Sequence, residues 1–146
     1  METEINNVRQ QDVFTKAYVS KKEYEIHKYV FESGKILTPR IIHYDEDTKV
    51  LVLEKLNGMS VSDKYGDVYE KVPKRVQNKV RNNIKALKKM GVIYVDNTGY
   101  NAYETPRGVY QLDYGHAKWK GEETEEDMEY LDNYLNGVGG WNPEYK

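Results

Sequence analysis

A single long apolar stripe restricts the fold of this chain more than any other feature. In "PKRVQNKVRNNIKALKKMG", residues 73–91, the side chains of Val76, Val80, Ile84, Leu87 and Met90 recur at spacings of 4, 4, 3 and 3. That period lines them along one face of a helix whose other faces are mostly charged or polar. Pro73 suits a first helical turn, Lys88 and Lys89 sit where the helix dipole favours cations, and Gly91 is a natural residue just past the end. Such a helix owes its stability mainly to packing of its apolar face. The stripe therefore reads as core, and the rest of the chain must cover it.

The covering segments are short. "DVFTKAYV" (12–19) alternates as a strand, with Lys16 on one face. "SKKEYEIHKYVFESGK" (20–35) predicts a helix with Ser20 as N-cap, Glu23 three residues on as in a capping box, Tyr24, Ile26, Tyr29 and Val30 as its apolar positions, and Gly34 as its end. Residues 40–56 predict a hairpin around "DEDT", and 57–72 a loop with a short helix. "VIYVD" and "GVYQLDYG" predict two short strands around a "TPRG" turn, which places Asp96 and Asp113 in the last hairpin. Residues 123–136 predict an acidic amphipathic helix with Met128, Leu131 and Leu135 inward, and "GVGGWNPEYK" a closing loop. Strand, helix, hairpin, long helix, hairpin, helix is an α+β order.

Composition excludes several classes of function. The 146 residues suffice for one domain, or one domain folded as two small lobes. No cysteine occurs, which removes disulfides, zinc fingers and thiol catalysis and fits a cytoplasmic protein. A net charge of −2 gives no argument for nucleic acid or an anionic membrane. No apolar run reaches membrane-spanning length and the N-terminus is polar, so neither a span nor a signal peptide is expected. Fourteen tyrosines against two phenylalanines suggest rings that pack while their hydroxyls stay wet. His27, His43 and His116 show no metal-ligand spacing and read as surface or turn residues. The acidic run 122–129 reads as a solvated helix start. Trp119 and Trp141 either anchor the tail or face a partner.

Asp96 and Asp113 each end a short apolar run, and Asn101 lies five positions after Asp96. Two carboxylates and an amide at strand ends can hold a hard divalent cation through oxygen, with water and phosphate completing the shell. A strand lysine supplies a point charge for phosphate, and a glutamate on the next helix can hold that lysine in place. Phosphoryl transfer needs this set, because its catalysis is largely positioning and charge neutralisation.

On these residues the chain resembles the protein-kinase-like fold. "YVDNTGYN" is similar to the catalytic-loop pattern H-R-D-x-x-x-x-N, with Asp96 and Asn101 in the Asp and Asn places, and "LDYG" is similar to D-F-G. The two aspartates are 17 residues apart, close to the family's usual separation. "LVLEKLNG" (51–58) resembles the strand and hinge that carry adenine, and "VFTKAY" the strand of the phosphate-binding lysine. The resemblance covers residues 13–118 and implies an ATP/Mg2+-dependent phosphotransferase acting on protein Ser or Thr. It implies a small antiparallel-sheet N-lobe with one helix (1–56) and a truncated, mainly helical C-lobe (57–146), as in the minimal kinases of viruses and bacterial effectors.

By position, the resemblance gives Lys16 to the α- and β-phosphates and Glu23 to Lys16, with Glu25 as the other candidate. It gives the backbone of Glu54 and Leu56 to adenine, with Leu53 at the back of the pocket and Tyr103 and Leu112 in the same cofactor-binding set. Asp96 would orient the substrate hydroxyl, Asn101 would ligate metal, and Asp113 would bridge Mg2+ to the phosphates. The departures are that no glycine precedes Gly34 where a phosphate-covering loop is expected, Tyr94-Val95 replaces His-Arg, and no A-P-E follows Asp113. Two further readings stay open: a pseudokinase that acts by binding a partner protein, and a small-molecule kinase of the aminoglycoside or choline type.

Overall fold

The computed structural model describes residues 12–142. Expectations for residues 1–11, and for 143–146 of the closing loop, lie outside them. The alternating run forms β1 (Val13–Lys16). Helix α1 (Lys21–Ser33) follows, capped by the Ser20 hydroxyl accepting from the Glu23 amide and ended by Gly34 at φ +66°. The hairpin is β2 (Ile41–Asp45) and β3 (Val50–Glu54), with the Asp45 carboxylate accepting from the amides of Asp47 and Thr48 in its turn. These strands make an antiparallel sheet of order β1-β3-β2, in which Lys16 faces Leu51 and Phe14 faces Leu53.

β4 (Met59–Ser60) and α2 (Val61–Tyr65) lead to α3 (Lys74–Lys89). Pro73 stands at the N-cap of α3, one place before the expected first turn. Val76, Val80, Ile84 and Leu87 are buried, while Met90 is half-buried at the C-cap. Their cover comes from α1 (Ile26, Val30), from β5 (Val92–Ile93), and from Leu131 and Tyr134 of α4 (Glu125–Leu135). A smaller cluster, Val19, Leu51 and Leu53, lies on the first sheet. Among the described residues no helix is long and apolar enough to cross a membrane.

The last hairpin differs from expectation. The "TPRG" turn joins β6 (Ala102–Thr105) to β7 (Gly108–Gln111), and β4 completes that sheet in the order β4-β6-β7. β5 pairs instead with β8 (Lys118–Trp119). Asp96 and Asp113 thus occupy two loops, not one hairpin. Runs of two to four residues carry too little period to select a partner.

Several smaller expectations are also corrected. The inward face of α1 is Glu23, Ile26, His27 and Val30, while Tyr29 is exposed and Tyr24 half-buried. His27 is a core residue, held by a hydrogen bond to the Pro39 carbonyl at 2.8 Å. The interior is drier than the tyrosine count suggested, since Tyr94, Tyr114 and Tyr134 are its largest fully buried side chains. Tyr134, missed by the apolar pattern, shares the inward face of α4 with Leu131, and Met128 and Leu135 are half-buried. Both tryptophans pack inside the chain: Trp119 against Tyr29, and Trp141 against Tyr69 and Tyr134.

Candidate functional site

Lys16 ends β1 and points toward the start of α1. Its ammonium donates to Glu23 Oε2 at 2.5 Å and to Asp113 Oδ1 at 2.9 Å, across 97 residues of sequence. The three side chains are 28%, 8% and 21% exposed in that order, so the triad is largely withdrawn from water. Burial alone would lower the Lys16 ammonium. The hydrogen bond to Glu23 and the attraction of Asp113 outweigh it and raise the group above its ordinary value. Burial likewise pushes Asp113 up, but Lys16 holds its carboxyl below the usual range. Glu25 is exposed on another face of α1.

The turn that presents Asp113 is locally determined. Asp113 adopts φ +60°, a left-handed conformation that aspartate tolerates better than most residues, and its Oδ1 accepts from the Gly115 amide at 3.0 Å. A Cβ at Gly115 would lie 3.1 Å from Asp113 Oδ1 and 3.3 Å from Glu23 Oε1, so a side chain there would crowd the triad. Tyr114 between them is fully buried. Its hydroxyl donates to Thr38 Oγ1, which itself donates to the Gln111 carbonyl. Its ring packs against His27 and Tyr94 at 5.1 and 5.7 Å. Burial lowers His27 to about 4, so the ring is neutral near pH 7 and must carry its proton on Nε2 to donate to Pro39.

Asp96 stands half-buried in the loop after β5. The backbone carbonyl of Asp96 accepts from the Thr98 amide and from Asn101 Nδ2, both at 3.1 Å. A carbonyl can only accept, so this bond fixes which way the Asn101 amide is turned. Two bonds tie the loop to the strand before Asp113: the Leu112 amide donates to the Asn101 carbonyl, and the Tyr94 hydroxyl donates to the Leu112 carbonyl. Burial and the charge of Asp113 raise the Asp96 carboxyl above its ordinary value, with His116 and Lys16 opposing.

The other expected positions are spread over the first sheet, the segment just beyond it, the second sheet and the loop before Asp113. Leu53 is buried beside β1. The Glu54 amide is already taken by the Arg40 carbonyl at 3.0 Å, so only its carbonyl remains for an adenine contact. Leu56 is half-buried just beyond β3, and Leu112 is half-buried between the two acids in sequence. Tyr103 stands on β6, opposite Ser60 and Tyr110, in the second sheet. The residues missed by sequence reasoning are supports: Thr38 and His27. Only His27 left a signal, four positions after Glu23 on one helix face.

The donor set suits Mg2+ with phosphate. Asp113 Oδ1 holds Lys16 and Gly115, leaving Oδ2, and the Asn101 amide oxygen faces away from the Asp96 carbonyl. Among the described residues no group of three or more His, Cys, Asp or Glu could hold a metal. One carboxylate and one amide could supply part of a shell of the kind that Mg2+ completes with phosphate and water. A cavity of about 870 Å³ lies elsewhere, between α3 and α4, and none of these acids lines it. Chemistry, not cavity size, marks the site.

No family model matches the chain, and no curated protein matches it. Solved structures do. A Rio2 kinase from Chaetomium thermophilum, in a complex described as ADP/Mg2+-phosphoaspartate, aligns with a TM-score of 0.60 at 16% identity. The alignment covers 80% of this chain but 35% of that one, so the chain spans about a third of its length. At that identity the likeness speaks to architecture alone: the chain has a kinase-like fold.

Proposed function

We propose that the protein is an ATP- and Mg2+-dependent phosphotransferase acting on Ser or Thr hydroxyls of proteins. The observation that carries this reading is the Lys16 ammonium held between Glu23 and Asp113. Two of its three donors are spent in fixing its position, and the third is available for a phosphate oxygen. The similar Rio2 kinase, described with ADP and Mg2+, supports the same ligands here.

Asp113 Oδ2 and the Asn101 amide oxygen would hold Mg2+, and Lys16 the nucleotide phosphates. Leu53 and Glu54 of the first sheet and Leu56 just beyond it, with Leu112 and Tyr103, would hold the rest of the nucleotide. The bound Mg2+ supplies charge neutralisation at the transferring phosphoryl group. Asp96 orients the acceptor hydroxyl and takes its proton as the oxygen–phosphorus bond forms and ADP departs. Its raised pKa favours the group as a proton acceptor, because general-base strength increases with pKa.

Asp96→Asn tests the reading. Binding of ATP and Mg2+, read as a thermal shift, should persist. Transfer from labelled ATP should fall by about 10²-fold or more, the usual scale for a positioned acid–base group. Wild-type protein that transfers no phosphate to proteins or to small hydroxyl compounds would refute an enzyme and leave a nucleotide-binding partner protein. Transfer to small hydroxyl compounds alone would move the substrate class.

A further inference from the structure

We propose that Trp141 and Asn142 are positioning residues, and that the strap 137–142 clamps the loop carrying Asp96. The inference rests on the phosphotransferase reading for its catalytic consequence but not for the clamp itself. The strap is built rather than trailing. Gly137, Gly139 and Gly140 all have positive φ, and they turn the chain back from the end of α4. At Gly140 a Cβ would lie 2.7 Å from Tyr134 Cβ and 2.8 Å from the Tyr130 carbonyl oxygen, so only glycine fits against the helix there. The turn delivers the Trp141 ring onto Tyr69 and Tyr134, at 4.8 and 6.2 Å between centroids.

The strap lands on the segment between Asp96 and Asn101. The Asn142 amide donates to the Asn97 carbonyl at 2.7 Å, and Asn142 forms a parallel bridge with Thr98. Gly99 is gripped from both sides: a Cβ there would lie 2.3 Å from Ser62 Oγ of α2 and 3.1 Å from Trp141 Cζ2. These contacts address residues 97, 98 and 99 one after another, immediately after Asp96. Held there, the loop keeps its own bonds, from the Thr98 and Asn101 amides and from Asn101 Nδ2.

The seam carries buried polar groups that its own contacts leave unpaired. Ser62 Oγ, both side-chain polar atoms of Asn97, and Trp141 Nε1 are buried there without a hydrogen-bond partner. Unpartnered polar atoms in a dry interior cost stability, and such local defects concentrate where function requires them. A tail docked only to cover the core would leave the Asp96 loop alone. This one packs Trp141 on the core and also bonds to residues 97 and 98.

The test uses the full chain and four variants. Trp141→Ala removes the ring, Asn142→Pro removes the single amide donor, Gly140→Ala lifts the turn, and Trp141→Phe keeps an aromatic ring. Hydrogen exchange at the Thr98 and Asn101 amides should accelerate about tenfold or more in the first three, with the buried amides of α3 unchanged, as expected for local rather than global opening. Trp141→Phe should restore most of the protection. In the same variants kcat should fall about tenfold or more while KM for ATP stays within about twofold, the pattern of a lost transition-state arrangement. Unchanged exchange at Thr98 and Asn101 in all three variants would overturn the clamp. So would an equal acceleration in α3, which would make the strap a general stabiliser. If wild-type protein transfers no phosphate, the exchange result still decides the clamp and only the function falls.

Discussion

Removing the Lys16 ammonium should create a stability–pH slope between pH 5 and 7 that the wild-type pair does not contribute. In Lys16→Met, Glu23 and Asp113 lose the cation between them, and two carboxylates converge on an apolar chain. Breaking a fully buried pair by deleting one partner costs about 3–5 kcal/mol. Here the cation is 28% exposed and the two carboxylates it leaves are 8% and 21% exposed, so partial screening brings the expected cost at pH 7 to about 1–3 kcal/mol. For a chain of this size that is a fall in Tm of roughly 3–10 °C. The slope is the sharper readout. In the wild type Asp113 has a lowered pKa, so its contribution is present above the unfolded value near 4 and lost only as pH falls through the folded value below it. Lys16, raised, contributes fully below its unfolded value and loses that only at alkaline pH beyond it. Between those limits the pair contributes no slope.

In the variant one carboxylate should titrate above its unfolded value, so the folded state binds the extra proton and stability rises as pH falls from 7 toward 5. His27 has the opposite tendency in both proteins, because its folded value near 4 makes the unfolded state the better proton binder below pH 6.5. Lys16 is one of the charges that lower His27, so its removal relaxes that penalty and adds to the same difference. Urea unfolding of both proteins at half-unit steps from pH 5 to 8 gives the difference directly. A difference that is flat, or that grows as pH falls, would refute the assignment of Lys16 as the cation that neutralises both acids.

Two other perturbations have definite expectations. Glu104 accepts from the Tyr65 hydroxyl, Arg75 and Lys64, which together lower it to about 2; its stability contribution is therefore present above the ordinary carboxylate range and lost as pH falls through about 2. Glu104→Gln should cost about 1 kcal/mol at pH 7, because both cations are open to solvent, and should flatten the acid limb between pH 4.5 and 2 in urea titrations. Gly115→Ala should disturb the triad without touching its charges, since the new methyl meets Asp113 Oδ1 and Glu23 Oε1 at 3.1 and 3.3 Å; thermal shift by ATP and Mg2+ should weaken more than Tm does, and an unchanged ligand shift would refute the crowding.

The sequence made one class of feature legible and hid another. Lys16, Glu23, Asp96, Asn101 and Asp113 were legible as candidates because each is a polar residue set against an apolar run, at separations that a short motif preserves. The α3 stripe was legible because five positions over four turns average out local noise. The strand partners were not, since β5 and β8 are two residues each and any pairing satisfies their pattern. His27 was hidden by its residue type: an imidazole on a core face looks like a surface group until a carbonyl such as that of Pro39 is seen to receive it. The strap was hidden because nothing in "GVGGWN" names its target. A turn can be read from glycines, but the place where it returns is a property of the whole fold.

The Tyr114 hydroxyl has a mechanical consequence. It couples the turn after Asp113 to Thr38, in the connection after α1, while its ring rests on His27 of α1 itself. A swing of α1 that withdrew Glu23 from Lys16 would therefore have to part His27 from Tyr114 and from the Pro39 carbonyl in the same event. Helix and turn are thus joined by contacts that would have to break together. Any displacement of α1 large enough to release Lys16 would also strip the Asp113 turn of its packing.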